Sequence, residues 1–169
     1  MITILFDTDM VANWHQGEPG FRLPLQSLFT ELSKHGATIT KFISVVTVQE
    51  LSYWAQAHGD ITALDRFIGA EFTILNFDRL IARRAAELQR DVGRPPRAKP
   101  KSSDKAQVAH WFRDAAIVAT AVHHKLHYIF TADRELNGFF NHITLVIFAW
   151  LRRAEQPSTR WSRQPRTSP

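Results

Sequence analysis

The chain contains no cysteine, which excludes disulfide frameworks and thiolate zinc sites. A cytosolic protein fits that absence without being required by it. Long hydrophobic runs are also lacking. "ITLVIFAW" (143–150) is among the longest, well short of the roughly 18 residues that read as a membrane span. The apolar start, "ITILF", runs only from 2 to 6 before Asp7 and carries no basic prelude, so it is not the core of a signal peptide. The expectation is a cytoplasmic protein with no membrane segment. Internal repeats and heptads are absent as well.

What is present suits one domain with a sizeable core: 169 residues, 44% hydrophobic and 22% charged. The net charge of +5 is unevenly placed. Arg152 to Pro169 and Arg94 to Lys105 each carry +4, leaving −3 for the rest. A mildly acidic body with two basic appendages suits a phosphate-rich substrate approaching an acidic centre. Solvated loops that aid solubility would have the same composition.

Short β-branched runs alternate with helical patterns. The strand-like runs are 2–6, 38–46, 72–75, 127–131 and 143–148. Helices are expected at 22–35, 48–58, 61–69, 78–91 and 105–124, with a short one after Asp133. That alternation implies an α/β fold, a parallel sheet of about five strands covered by helices on both faces. "GRPPRAKPKSSD" (93–104) reads as a loop interrupting the domain. The domain is expected over 1–150, with a basic, disordered tail over 151–169.

The acids fall at equivalent places in this plan. Asp7 ends the first strand, Glu50 follows the second, and Asp133 ends the fourth in "YIFTADREL". In an open parallel sheet the carboxyl ends share one edge, and ligands bind there. Asp114, in "FRDAAIVATAV", shares a helical face with Ile117, Val118 and Ala121 and so can point inward. Converging carboxylates repel: at an effective dielectric of about 20, two charges ~4 Å apart cost roughly 4 kcal/mol. Bound Mg²⁺ or Mn²⁺ removes that cost and prefers oxygen ligands. Simpler roles exist for these acids. Thr47 and Glu50 have the spacing of a capping box, and Asp114 and Asp133 stand where helix N-caps would.

The ordered set "FDTDM", "VVTVQEL", "FRDAAIVATA" and "FTADREL" resembles the PIN-domain ribonucleases, most closely the VapC-type toxins of toxin–antitoxin pairs, over about residues 2–148. The resemblance implies a three-layer PIN-like domain and metal-dependent endoribonuclease activity. Asp7, Asp114 and Asp133 would be metal ligands, and Glu50 would bind the metal directly or through water. Thr131 would orient carboxylates, and Glu135 would be an outer acid. Partners implied are RNA, a small antitoxin and a second copy of the chain in a homodimer. Arg94, Arg97, Lys99, Lys101 and Arg113 are candidate RNA contacts. The chain departs from the family pattern at Asp9, where the family has Asn, and at Leu136, where an aromatic is common. The basic loop and tail are also long.

Other readings remain. "FDTDMV" also resembles the Asp-x-Asp motif of haloacid-dehalogenase-type phosphatases, in which Asp7 would be a nucleophile and Asp9 an acid/base. A PIN-type RNA-processing nuclease without an antitoxin and a PIN-like binding module without catalysis are further alternatives. "FRLPLQSLFTEL" (21–32) is apolar enough to dock an antitoxin, although such a pattern is also ordinary core. His123 and His127 in "HHKLH" read as structural, and the five Trp show no spacing with basic residues that would suggest base stacking.

Overall fold

The computed structural model describes residues 1–92, 104–133 and 136. Its centre is β1 (Ile2–Phe6), a β-branched run whose side chains go to both faces of the sheet. β2 (Ile39–Ser44) and β4 (Tyr128–Phe130) flank it, β3 (Thr73–Leu75) lies outside β2, and all pairings are parallel. The sheet order is therefore β3-β2-β1-β4. The fifth expected strand, 143–148, lies outside the described residues, as do most of the helix expected after Asp133, the basic loop and the tail.

Period-two alternation divides the apolar residues into two cores. Ile4, Phe6, Ile43 and Phe130 join one, with Met10 and Val11 of α1 (Thr8–His15), Phe21 and Leu25 of α2 (Pro19–Lys34), Leu51 of α3 (Val45–His58), and Leu64 and Ile68 of α4 (Ile61–Glu71). Leu5 and Ile129 face the other way, onto Ile81 and Leu88 of α5 (Arg79–Val92) and Ala115, Ile117 and Val118 of α6 (Asp104–His123). The result is helix, sheet, helix, the three-layer α/β architecture the alternating pattern implies. Phe6 anchors the first core, its ring 5.3–6.2 Å from those of Phe130, Phe72, Trp14 and Phe29.

Three local expectations change. A helix, α1, starts at Thr8, where none was expected: its buried residues Met10, Val11 and Ala12 fill a single turn, too few to display a period. Thr47 and Glu50 do not form a capping box. α3 starts earlier, at Val45, and Ser44 is its N-cap, accepting a hydrogen bond from the Val46 N–H at 3.2 Å. Asp114 is not an N-cap, because α6 runs unbroken through it. In "FRLPLQSLFTEL" the ordinary-core alternative holds for Phe21 and Leu25, which are buried in the core, while Leu23 is exposed.

"HHKLH" is structural. α6 ends at His123, and the His127 ring Nδ1 accepts from the Thr3 N–H at 3.2 Å and bonds the Thr3 hydroxyl at 2.6 Å. Among the described residues, no helix is long and apolar enough to cross a membrane.

Candidate active site

From β1 the chain crosses to β2 through α1 and α2, and from β3 it returns to the far side of β1 through α5 and α6. The crossovers lie on opposite faces, so a crevice opens beyond the carboxyl ends of β1 and β4. Asp7 stands there. Its N–H continues the ladder to the Phe130 carbonyl at 2.9 Å. Its Oδ1 accepts from the Thr8 N–H at 2.7 Å as α1 begins, and its Oδ2 accepts from the Thr131 hydroxyl at 2.7 Å. Thr131 Oγ1 in turn accepts the Asp133 N–H at 2.9 Å. One buried hydroxyl thus ties the end of β4 to the end of β1.

Asp7 is a cap as well as a member of an acid group, and its environment separates the two roles. A simple capping carboxylate stays ionised. Here burial, then the charge of Asp9 and more weakly that of Glu50, push Asp7 up to about 7, against the lowering effect of its bonds from Thr131 and Thr8. Asp114, buried among small residues of α6, is pushed up to about 8 by burial and by the charges of Asp7, Asp133 and Glu50, with Arg113 opposing. Asp9 is raised by desolvation, although it stands exposed at the rim, and by Asp133 and Glu50, while His110 lowers it. Asp7, Asp9, Glu50, Asp114 and Asp133 therefore lie within electrostatic reach of one another, contributed by β1, α1, α3, α6 and the end of β4.

Glu50, one turn into α3, is held at both oxygens. Oε1 is 2.8 Å from Arg113 Nη1, and Oε2 accepts from the Thr8 hydroxyl at 2.5 Å. Arg113 thus sits in the crevice as the partner of a carboxylate. Among the described residues, no group of three or more acids and histidines is arranged to hold a metal ion. Glu135, Arg94, Arg97, Lys99 and Lys101 lie outside the described residues.

Two participants were not singled out in the sequence. Thr8 was visible in "FDTDM" as the neighbour of Asp7, but its role depends on Glu50 lying opposite. His110 precedes Asp114 by four residues and Arg113 by three, a spacing that puts all three on one side of α6.

An α/β fold with buried acids gathered at the carboxyl edge of its sheet defines a class of acid-centred sites. The pattern of the PIN domain family matches residues 4–139, and the chain belongs to that family. No match is found among curated proteins. Three solved structures share the fold. VapBC2 from Rickettsia felis, bound to a DNA fragment from their promoter, is 14% identical with a TM-score of 0.60, covering 87% of this chain and 98% of its own. A toxin–antitoxin complex from Klebsiella pneumoniae is 23% identical with a TM-score of 0.56, covering 85% and 95%. FitAcB from Neisseria gonorrhoeae is 22% identical with a TM-score of 0.55, covering 86% and 96%. The family match leaves the phosphatase reading of Asp7 and Asp9 without support.

Proposed function

We propose that this chain is a divalent-metal-dependent endoribonuclease and the toxin of a type II toxin–antitoxin pair. The observation that carries the nuclease reading is the pair of buried carboxyls, Asp7 and Asp114, each raised partly by neighbouring acids at the mouth of a parallel sheet. Such a group is costly unless protonated or neutralised by a cation, and its donors are all hard oxygens, the set that Mg²⁺ and Mn²⁺ prefer. Chemically the residues fit a divalent ion.

In this reading Asp7, Asp114 and Asp133 hold the ion, with Glu50 a ligand directly or through water. When bound, the ion supplies an activated water and neutralises charge on the scissile phosphate. The chain's own work is positioning. Thr131 fixes the orientation of Asp7, Thr8 fixes Glu50, and the unbroken α6 carries Asp114 and Arg113 into the crevice together. Asp7 and Asp114 must lose their protons to act as ligands, so metal affinity rises as pH passes through about 7 to 8.

Asp7→Asn and Asp114→Asn should each lower cleavage of single-stranded RNA by about a hundredfold or more, in line with lost metal-site chemistry. Chelator should abolish wild-type cleavage, and Mn²⁺ should restore it. An Asp7→Asn protein that cuts RNA at the wild-type rate would remove this site from consideration.

The toxin assignment is supported by the complexes whose fold the chain shares, two of them named as toxin–antitoxin or VapBC assemblies. Native purification should recover a small second protein that suppresses cleavage. Recovery of an active chain with no such protein would favour an RNA-processing nuclease instead. A homodimer belongs to the same reading, and light scattering on the purified chain decides it.

A further inference from the structure

The ion pair between α3 and α6 lies among the acids proposed to hold the metal. Arg113 Nη1 is 2.8 Å from Glu50 Oε1, and the other Glu50 oxygen is taken by Thr8. The Arg113 side chain is 36% exposed, and that of Glu50 is 19% exposed. The pair is too open to count as a buried structural bridge and too enclosed for a solvated surface contact. A second observation points the same way. Arg113 Nε is buried with no hydrogen-bond partner among the described residues, so that nitrogen does not help to fix the guanidinium. Its neighbour in sequence, Asp114, is buried, and the charge of Arg113 favours the ionised form of that carboxyl. This cation therefore offsets acids contributed by two different helices.

We infer that Arg113 is a positioning residue that competes with the divalent ion for the Glu50 carboxylate and so sets how tightly the ion is held. The inference rests on the nuclease reading of the site. Two physical effects act together. A guanidinium bonded to Glu50 Oε1 occupies an oxygen that the ion, or a water bound to it, would use. Its positive charge also opposes the entry of a second cation into the same crevice. Removing the guanidinium then strengthens metal binding, whereas losing a merely structural contact would weaken it. Lysine at the same position keeps the charge but loses the fork, so it should lie between the arginine and glutamine forms.

The test is a calorimetric titration of the full chain with Mn²⁺ at fixed ionic strength and a pH above about 8. There the Asp114 carboxyl is ionised, and the help Arg113 gives to that ionisation no longer opposes the gain. Arg113→Gln should bind Mn²⁺ roughly tenfold more tightly than wild type, and Arg113→Lys should fall between the two. In a Glu50→Gln background, the gain from Arg113→Gln should shrink to a few-fold, because only the through-space repulsion is left. Circular dichroism in chelator confirms that each variant is folded. Unchanged or weaker Mn²⁺ binding by folded Arg113→Gln overturns the competition, as does an undiminished gain in the Glu50→Gln background. The underlying reading fails separately: wild-type Mn²⁺ binding that is absent, or that survives Asp114→Asn intact, removes the metal site and the competition with it. Binding that depends on Asp114 but not on Arg113 removes the competition alone.

Discussion

Asp7 and Asp114 keep protons that an exposed carboxylate would have released near its ordinary value of 3.8. The unfolded chain loses those protons first. Their contribution to stability is therefore fully present below about 4 and falls as pH rises toward about 7 for Asp7 and about 8 for Asp114. Asp114→Asn keeps the shape and removes the titration. Measured in chelator, its melting temperature relative to wild type should be near zero at pH 4 and should climb by about 5 °C or more by pH 8. A flat difference across that range would mean that neither burial nor the neighbouring acids raise Asp114. At this scale the acids were legible in the sequence, because strand ends and a small-residue helix fix where carboxylates go. The ion pair of Glu50 with Arg113 was not, since it depends on two helices far apart in the chain meeting beside the crevice.

The elements show where local pattern misleads. The four described strands were readable because short β-branched runs bounded by turns suit a sheet buried on both faces and little else. The start of α3 was misread because Thr47 and Glu50 match a capping box, while Ser44 looks like the last residue of a strand and is both. Ser44 is fully buried and bonds the Val46 N–H, whereas the buried Thr47 hydroxyl has no hydrogen-bond partner among the described residues. Ser44→Ala should therefore cost about 1 kcal/mol in urea unfolding, and Thr47→Val should cost nothing or stabilise. The reverse ranking would restore the capping box. α1 went unseen for a different reason: its eight residues bury one turn, and what starts it is the Asp7 cap.

For the whole molecule, the proposed function makes the charge layout along the sequence testable. An acidic crevice lies beside α6, and the basic stretch 94–105 leads directly into that helix. If Lys99 and Lys101 contact phosphates, replacing both with Ala should weaken RNA binding and reduce the slope of log affinity against log salt by about 1.4, the value for two contacts on a single strand. An unchanged slope would make the stretch a solvated loop. The three layers followed from alternation of strand and helix. The placement of β4 beside β1, which creates the crevice, did not, because no local pattern records which strand a distant run will join.

That placement also sets a time. Asp7 is made well before the hydroxyl that orients it, which belongs to Thr131, 124 residues later, and Asp114 too follows it. At a synthesis rate of roughly 5–20 residues per second, the early acid waits several seconds for its companions. Until residue 131 has left the ribosome and β4 has closed against β1, the crevice does not exist. On the proposed ribonuclease reading, the nascent chain has no cleavage site before that closure.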